Sequence, residues 1–234
     1  MQIKKLLPLL LMLFACGKEA TIKPPPKAAY LMFYNGAPDF YNAKSMVLVN
    51  NQHAGQLAYN DNGRGLIGAY NASLYQFTDT GDFRIAFSDS TIKAAKITEG
   101  IYHFADKKHY TIYLADSLGF YETMYTSDDV NPDPGMAKIR LLHLSPDAGT
   151  VSLLLDTSAV QGIQELHFRG VTDYIPVSPD VKPAIRIMNG DNQLVRKSFP
   201  LEAGKCYTMI LRGYNNTPDG DVNKTLNLST IINF

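Results

Sequence analysis

The sequence predicts an all-β protein built as two tandem antiparallel β-sandwiches. Three observations predict it. Apolar residues come in short runs, some with the period of two that a half-buried strand requires, as in Phe83, Ile85 and Phe87 with Arg84 and Ala86 between them. Clusters of Gly, Pro, Asn and Asp separate these runs, and helical periodicity is scarce. The second half of the chain also repeats the first.

The chain begins with Lys4 and Lys5, followed by an apolar run from Leu6 to Ala15 broken only by Pro8. That run is shorter than the roughly 20 residues a bilayer span needs. A basic start, a short apolar core and a small residue before a cut site describe an export signal. Leu13-Phe14-Ala15-Cys16 resembles a bacterial lipobox. The resemblance implies removal of residues 1–15 and lipidation of Cys16, with more than one acyl chain, since a single chain binds a membrane only marginally. Residues 16–27 then form a lipidated tether, in which Pro24, Pro25 and Pro26 favour an extended, semi-rigid chain.

The first body spans 28–125. "YLMFYNGAPD" (30–39) reads as a strand running into a turn, with Pro38 and Asp39 as turn residues. Met46–Val49, Tyr75–Thr78, Phe83–Phe87 and His109–Leu114 read as further strands, and Gly63, Arg64 and Gly65 as a flexible loop. The polar segment 126–136, with Pro132, Pro134 and Gly135, reads as a linker. The second body, 137–234, opens with strand 138–144, a turn at Ser145-Pro146-Asp147-Ala148-Gly149 and strand Val151–Leu155. A short helical turn at Ala159–Glu165 is weakened by Gly162.

The halves overlay in order. "LMFYNGAPDF" matches "IRLLHLSPDA", "FRIAFSD" matches "IRIMNGD", and "KKHYTIYL" matches "GKCYTMIL", at offsets of 108, 102 and 97. Strand composition alone accounts for alternation but not for a Tyr-Thr pair recurring at one place, so the order marks a duplication. A sheet with one greasy face must be covered, and with few helices available each half is expected to be a two-sheet sandwich of immunoglobulin-like or transthyretin-like kind.

The segment "KIRLLHLSPDAGTVSLLLD" resembles the opening of the bacterial domain-of-unknown-function 4397 family, through His143, Ser145, Pro146, Asp147 and Ala148 and the strand into Asp156. "LEAGKCYTMIL" resembles the family's turn before a Tyr-Thr strand. The likeness covers most of 137–213; the copy at 30–115 keeps only Pro38-Asp39 and the turn character of Asn35-Gly36-Ala37. It implies a β-sandwich in tandem at the cell surface, and no reaction. Physically, Pro146 presets the turn's φ and Asp147 is expected to accept backbone N–H bonds two residues on. His143, within an apolar run, reads as a satisfied core or edge histidine rather than a ligand or base.

The composition excludes several functions. Formal net charge is zero, with Lys and Arg scattered, which argues against a nucleic-acid surface. Of the two cysteines, Cys16 is assigned to lipid, so Cys206 has no intrachain partner and reads as a small buried hydrophobe. The five histidines form no HExxH pair, and nucleophile-elbow and phosphate-loop motifs are absent. Asp128-Asp129 and Asp219/Asp221 fall in polar stretches and read as solvated. Asp219, Asp221 and Asn223 alternate like the start of a calcium loop, but Lys224 stands where that loop needs glycine. A turn on Asp219-Gly220 is the stronger reading, with no metal and no cofactor.

Aromatics are plentiful, and Tyr121 and Tyr125 beside the linker are candidate ligand contacts. The expectation is a non-catalytic, lipid-anchored envelope protein of the outer membrane, periplasmic or surface-facing, acting as a binding, structural or adhesive module. Its partner would be a protein or matrix component. The alternative is glycan capture through Tyr121 and Tyr125.

Overall fold

A computed structural model describes residues 26–40, 45–60, 75–90 and 96–233. The proposed leader, Cys16 and the loop at Gly63-Arg64-Gly65 lie outside the described residues. The first half contributes β1 (Ala29–Asn35), β2 (Ser45–Val49), β3 (Gln52–Leu57), β4 (Gln76–Thr78), β5 (Gly81–Asp89), β6 (Lys96–Phe104), β7 (His109–Ser117) and β8 (Phe120–Asp128). The second contributes β9 (Ala137–Leu144), β10 (Ser152–Leu155), β11 (Ser158–Ala159), β12 (Ile175–Val177), β13 (Ala184–Asn189), β14 (Asn192–Ser198), β15 (Cys206–Arg212) and β16 (Asn227–Ile232). Among the described residues no helix is long and apolar enough to cross a membrane.

Each half is a pair of four-stranded sheets, and the two pairs have one topology. The order β4-β1-β7-β8 recurs as β12-β9-β15-β16, and β3-β2-β5-β6 as β11-β10-β13-β14. The duplication extends to register. Leu31 lies opposite Tyr110 and Ile139 opposite Tyr207, at the offsets of 108 and 97 seen in sequence. The sheets are not wholly antiparallel as expected: β1 pairs with β7, and β9 with β15, in parallel. A parallel pair needs a long crossover, and here it carries the whole second sheet, β2, β3, β5 and β6 or β10, β11, β13 and β14, together with the edge strand β4 or β12 of the first.

Within each half, side chains of alternate residues meet between the sheets. Leu31, Phe33, Ile112 and Leu114 pack against Val47, Ile85, Phe87 and Phe104. Ile139, Leu141, Met209 and Leu211 pack against Leu153, Ile185 and Ile187. The repeated tyrosine is explained here. Tyr110 Oη accepts the N–H of Ala105 (3.2 Å) and Tyr207 Oη accepts that of Glu202 (2.9 Å), each five residues upstream at the same corner.

The other faces of β1, β7, β9 and β15 are also buried, because the halves pack their parallel-paired sheets against each other. Met32, Tyr34, Tyr113 and Ala115 of the first half meet Leu142, Leu144, Ile210 and Ile231 of the second. Four sheet layers therefore stack, and the central strands of the two inner ones, β1, β7, β9 and β15, are covered on both faces. Gly36 permits the close approach, since a Cβ there would lie 2.5 Å from Leu144 Cδ1.

Three local expectations are corrected. β8 continues to Asp128, three residues beyond the expected boundary at 125, because Thr126 and Asp128 are buried at the seam. The connecting residues are stapled rather than loose: Lys138 Nζ donates to Asp129 Oδ2 (2.9 Å) and Asn131 O (2.8 Å) and pairs with Asp133 Oδ1 (3.2 Å). The segment Ala159–Glu165 is not helical; β11 ends at Ala159 and Gly162 takes a φ of +87°, which stops a helix.

Ile210 would face solvent on an isolated sandwich. Ile210→Ala is therefore expected to destabilise the protein by about 2–5 kcal/mol, as a buried core truncation does. Urea unfolding monitored by tyrosine fluorescence measures it.

Candidate functional site

The seam between the halves gathers the most unusual polar chemistry among the described residues. At the end where β8 hands over to β9, the Arg140 guanidinium pairs with the Asp128 carboxylate, their side chains 3% and 0% exposed. Arg140 also donates from Nε to Thr208 Oγ1 (2.9 Å), from Nη1 to Ser127 O (3.0 Å) and from Nη2 to Thr126 Oγ1 (3.0 Å). The Tyr174 ring lies 4.5 Å from its Cζ. Asp128 Oδ1 accepts from Thr126 (3.0 Å), and Oδ2 accepts from Tyr75 Oη (2.8 Å) and from Thr111 Oγ1. A buried charge costs several kcal/mol unless every lone pair and proton finds a partner, and this one is enclosed by partners.

The network is a broken symmetry. Thr208 and Tyr174 of the second half bond Asn233 Oδ1 (2.6 and 3.1 Å) as Thr111 and Tyr75 bond Asp128. Asn233 Nδ2 then reaches across to Tyr75 Oη at 2.7 Å, which joins the two triads. Met32 faces Thr111 in register as Arg140 faces Thr208. One half thus carries Met and Asp, the other Arg and Asn, and only the heterologous combination forms an ion pair. From sequence alone Asp128 reads as solvated; its strand register instead aims it into the seam. Its Arg partner is 12 residues away, and the spacing carries no periodic signal.

At the opposite end of the seam Tyr214 Oη lies 3.1 Å from Asp39 Oδ2 and 3.3 Å from Asp116 Oδ2, and accepts the N–H of Leu118 (3.1 Å). Lys224 Nζ bridges Asp39 Oδ1 (3.1 Å) and Asp219 Oδ2 (2.7 Å). Burial, together with the neighbouring Asp39 charge, pushes Asp116 up to about 6. Between the two ends, Glu122 and Arg169 pair across the rim at 2.6 Å.

The turn residues anticipated from sequence serve these ends in different ways. Asp147 does not bond N–H groups two residues on. It accepts those of Asn215 (2.8 Å) and Asn216 (2.7 Å), pinning the loop after β15. Ser145 Oγ lies 3.4 Å from Asp147 Oδ1, and Pro146 occupies the turn between them. His143 closes this turn from beneath: Nδ1 accepts the Ser145 N–H (3.2 Å), so Nε2 donates to Gly149 O (2.8 Å). Burial lowers its pKa, keeping the imidazole neutral. In the first half Pro38 is buried at the matching turn, and Asn35 takes over the local bond, accepting the Ala37 N–H (3.0 Å). Asp39 is thereby released to the seam.

The remaining candidates are placed as follows. Tyr121 is half-buried with its ring 5.0 Å from Phe40, and burial raises its hydroxyl to about 12. Tyr125 remains 45% exposed on β8, against Tyr102 (4.7 Å). The two lie on one face of the strand but contact different aromatics. In the suggested calcium loop, Asp219 is bonded to Lys224, and Asp221 Oδ1 accepts from Asn223 N (2.9 Å) and caps the short 3-10 turn Val222–Lys224. The lysine ammonium sits where a cation would. Cys206 is fully buried, and burial pushes its thiol up to about 11, which makes it unreactive.

The profile described as Domain of unknown function (DUF4397) matches residues 29–154 and again residues 137–227. The chain belongs to this family. The first half, where only Pro-Asp and the turn were legible, is thus a DUF4397 copy as well, and its match runs on through β9 and into β10. No curated protein matches the chain. A solved leucine-rich repeat protein from Bacteroides thetaiotaomicron is similar over 78% of this chain and 26% of that one, at 14% identity and a TM-score of 0.20. The chain spans about a quarter of that protein's length, and similarity at this level carries no argument.

Two outcomes follow from the seam chemistry of this DUF4397 pair. Arg140→Met leaves Asp128 buried without its countercharge and is expected to cost about 3–5 kcal/mol. Adding Asp128→Asn places at these positions the Met and Asn that stand at the symmetry-equivalent positions 32 and 233, and should recover most of that loss in urea unfolding. Asp116 holds its proton more tightly folded than unfolded. Its contribution to stability is present below the ordinary carboxylate range and is lost as pH rises through about 6. Stability measured across that window should vary less with pH in Asp116→Asn than in the parent.

Proposed function

We propose that the chain is a non-catalytic cell-envelope lipoprotein, held by lipid on Cys16 and serving as a binding or structural module for a protein or matrix partner. The observation that carries this reading is where the chemically capable side chains are engaged. Asp128 is engaged with Arg140, Asp147 with two backbone amides, and His143 with the turn at both ring nitrogens. These groups hold the shape of a stiff four-layer body instead of facing a reacting centre. Rigidity of this kind suits a module that presents loops and edges at a distance from an anchor.

The leader and the triple proline at 24–26 support the location, an outer-membrane lipoprotein facing the periplasm or the surface. Among the described residues, eight strands per half in two sheets of four support a transthyretin-like sandwich. The seven-stranded immunoglobulin plan divides four and three. Glycan capture through Tyr121 and Tyr125 is the second reading, favoured by the exposure of Tyr125 on an edge strand.

Cys16→Ala is expected to move the protein from the membrane fraction to the soluble one while leaving its unfolding transition unchanged. Fractionation with and without globomycin checks this, and a variant that still sediments with membranes contradicts it. Pull-down of a defined envelope protein with blank glycan arrays supports the first reading. Saturable array binding lost in Tyr125→Ala supports the second.

A further inference from the structure

A cleft of about 310 Å³ opens at the end of the seam below the Arg140–Asp128 pair, lined by Lys107, Lys108, His109, Ser127–Asn131 and Tyr174. Both halves and the connection between them build it. That volume lies at the small end of ligand pockets, the size of a single sugar-like unit.

Its acidic groups are compensated. Asp128 is paired with Arg140, and Asp129 with Lys138. Asp106, adjacent in sequence, turns Oδ1 to the Ala28 N–H at 3.0 Å. Lys107 and Lys108 are exposed at the mouth and make no ion pair among the described residues. Lys107 is held in a left-handed conformation, φ +59°, in the tight turn before β7, and its N–H is tied to Ala28 O at 2.7 Å. The mouth therefore presents two ammonium groups, one of them on a backbone turn held in place, with no ion-pair partner among the described residues.

The wall is different in kind. His109 is stacked on Tyr30 (4.5 Å, 8°) and edge-on to Tyr75 (4.8 Å), which fixes the ring. Neither of its nitrogens has a hydrogen-bond partner among the described residues, and burial keeps it neutral. It thus offers one donor and one acceptor, beside Asn131, which also lines the cleft. Such a wall suits neighbouring hydroxyl groups, which donate and accept.

We propose that this cleft binds a small carboxylate-bearing polyol of the uronic acid class, with the carboxylate at Lys107 and Lys108 and the hydroxyls at His109 and Asn131. The site is distinct from Tyr121 and Tyr125 and rests on the cleft alone, whatever the partner of the envelope module.

Isothermal titration of the purified full-length protein tests it with four probes: glucuronate, a short oligosaccharide ending in glucuronate, glucose and inorganic phosphate. Glucuronate should bind saturably at one site, and glucose should not. Lys107→Gln/Lys108→Gln, on an exposed turn, should weaken glucuronate by roughly tenfold or more with the melting temperature unchanged. Tighter binding of the oligosaccharide would identify a glycan end as the source, and equal binding a free acid. Absence of saturable heat with glucuronate overturns the proposal. So does binding indifferent to the double substitution, or phosphate binding as well as glucuronate.

Discussion

The structure depends on one constraint: the parallel-paired strands at the centre of the two inner sheets are covered on both faces. A single β-sandwich needs only one greasy face per sheet. Here β1, β7, β9 and β15 carry a second apolar set, Met32, Tyr34, Tyr113, Ala115, Leu142, Leu144 and Ile210, which is satisfied only by the other half. Domains along a chain ordinarily meet through small polar contacts and move against each other unless the interface is large and apolar. This interface is apolar at its centre and closed at one end by the buried Arg140–Asp128 pair. The pair adds specificity more than net stability. Its charges sit correctly only when the first half brings Asp128 and the second brings Arg140, so the seam selects the heterologous arrangement over two like copies.

Several properties follow from the seam. The connection at 129–136 needs no flexibility, and Lys138 ties it down. The duplicated Pro-Asp turns have diverged, with Asp147 stapling a loop within its own half while Asp39 reaches Lys224 and Tyr214 in the other. The cleft at Lys107, Lys108 and His109 exists because the halves meet with their β7 and β15 starts at the same end.

Much of this was legible in the sequence. The Tyr-Thr repeat located β7 and β15 and set the offset that the register obeys. The repeat also carried more than duplication: its Tyr closes each sandwich corner, and its Thr points to the seam. What the sequence obscured was the second buried face. "YLMFYN", "HYTIYLA" and "KIRLLHL" are near-continuous apolar runs, the mark of strands covered on both sides, but runs of five to seven residues also fit an ordinary core strand. Asp128 was missed for a related reason. A carboxylate beside a Pro- and Gly-rich segment reads as solvated unless strand register shows that it shares a face with Thr126 and Met124. Tyr75 and Tyr174 gave no signal, since each lies just outside a three-residue strand.

Differential scanning calorimetry of the intact protein tests the shared seam most directly. One endotherm is expected, with calorimetric and van't Hoff enthalpies in a ratio of about one, because neither half can lose its partner without exposing an inner sheet. Two resolved endotherms, each the size of a single sandwich, would contradict the account and show two bodies that merely touch.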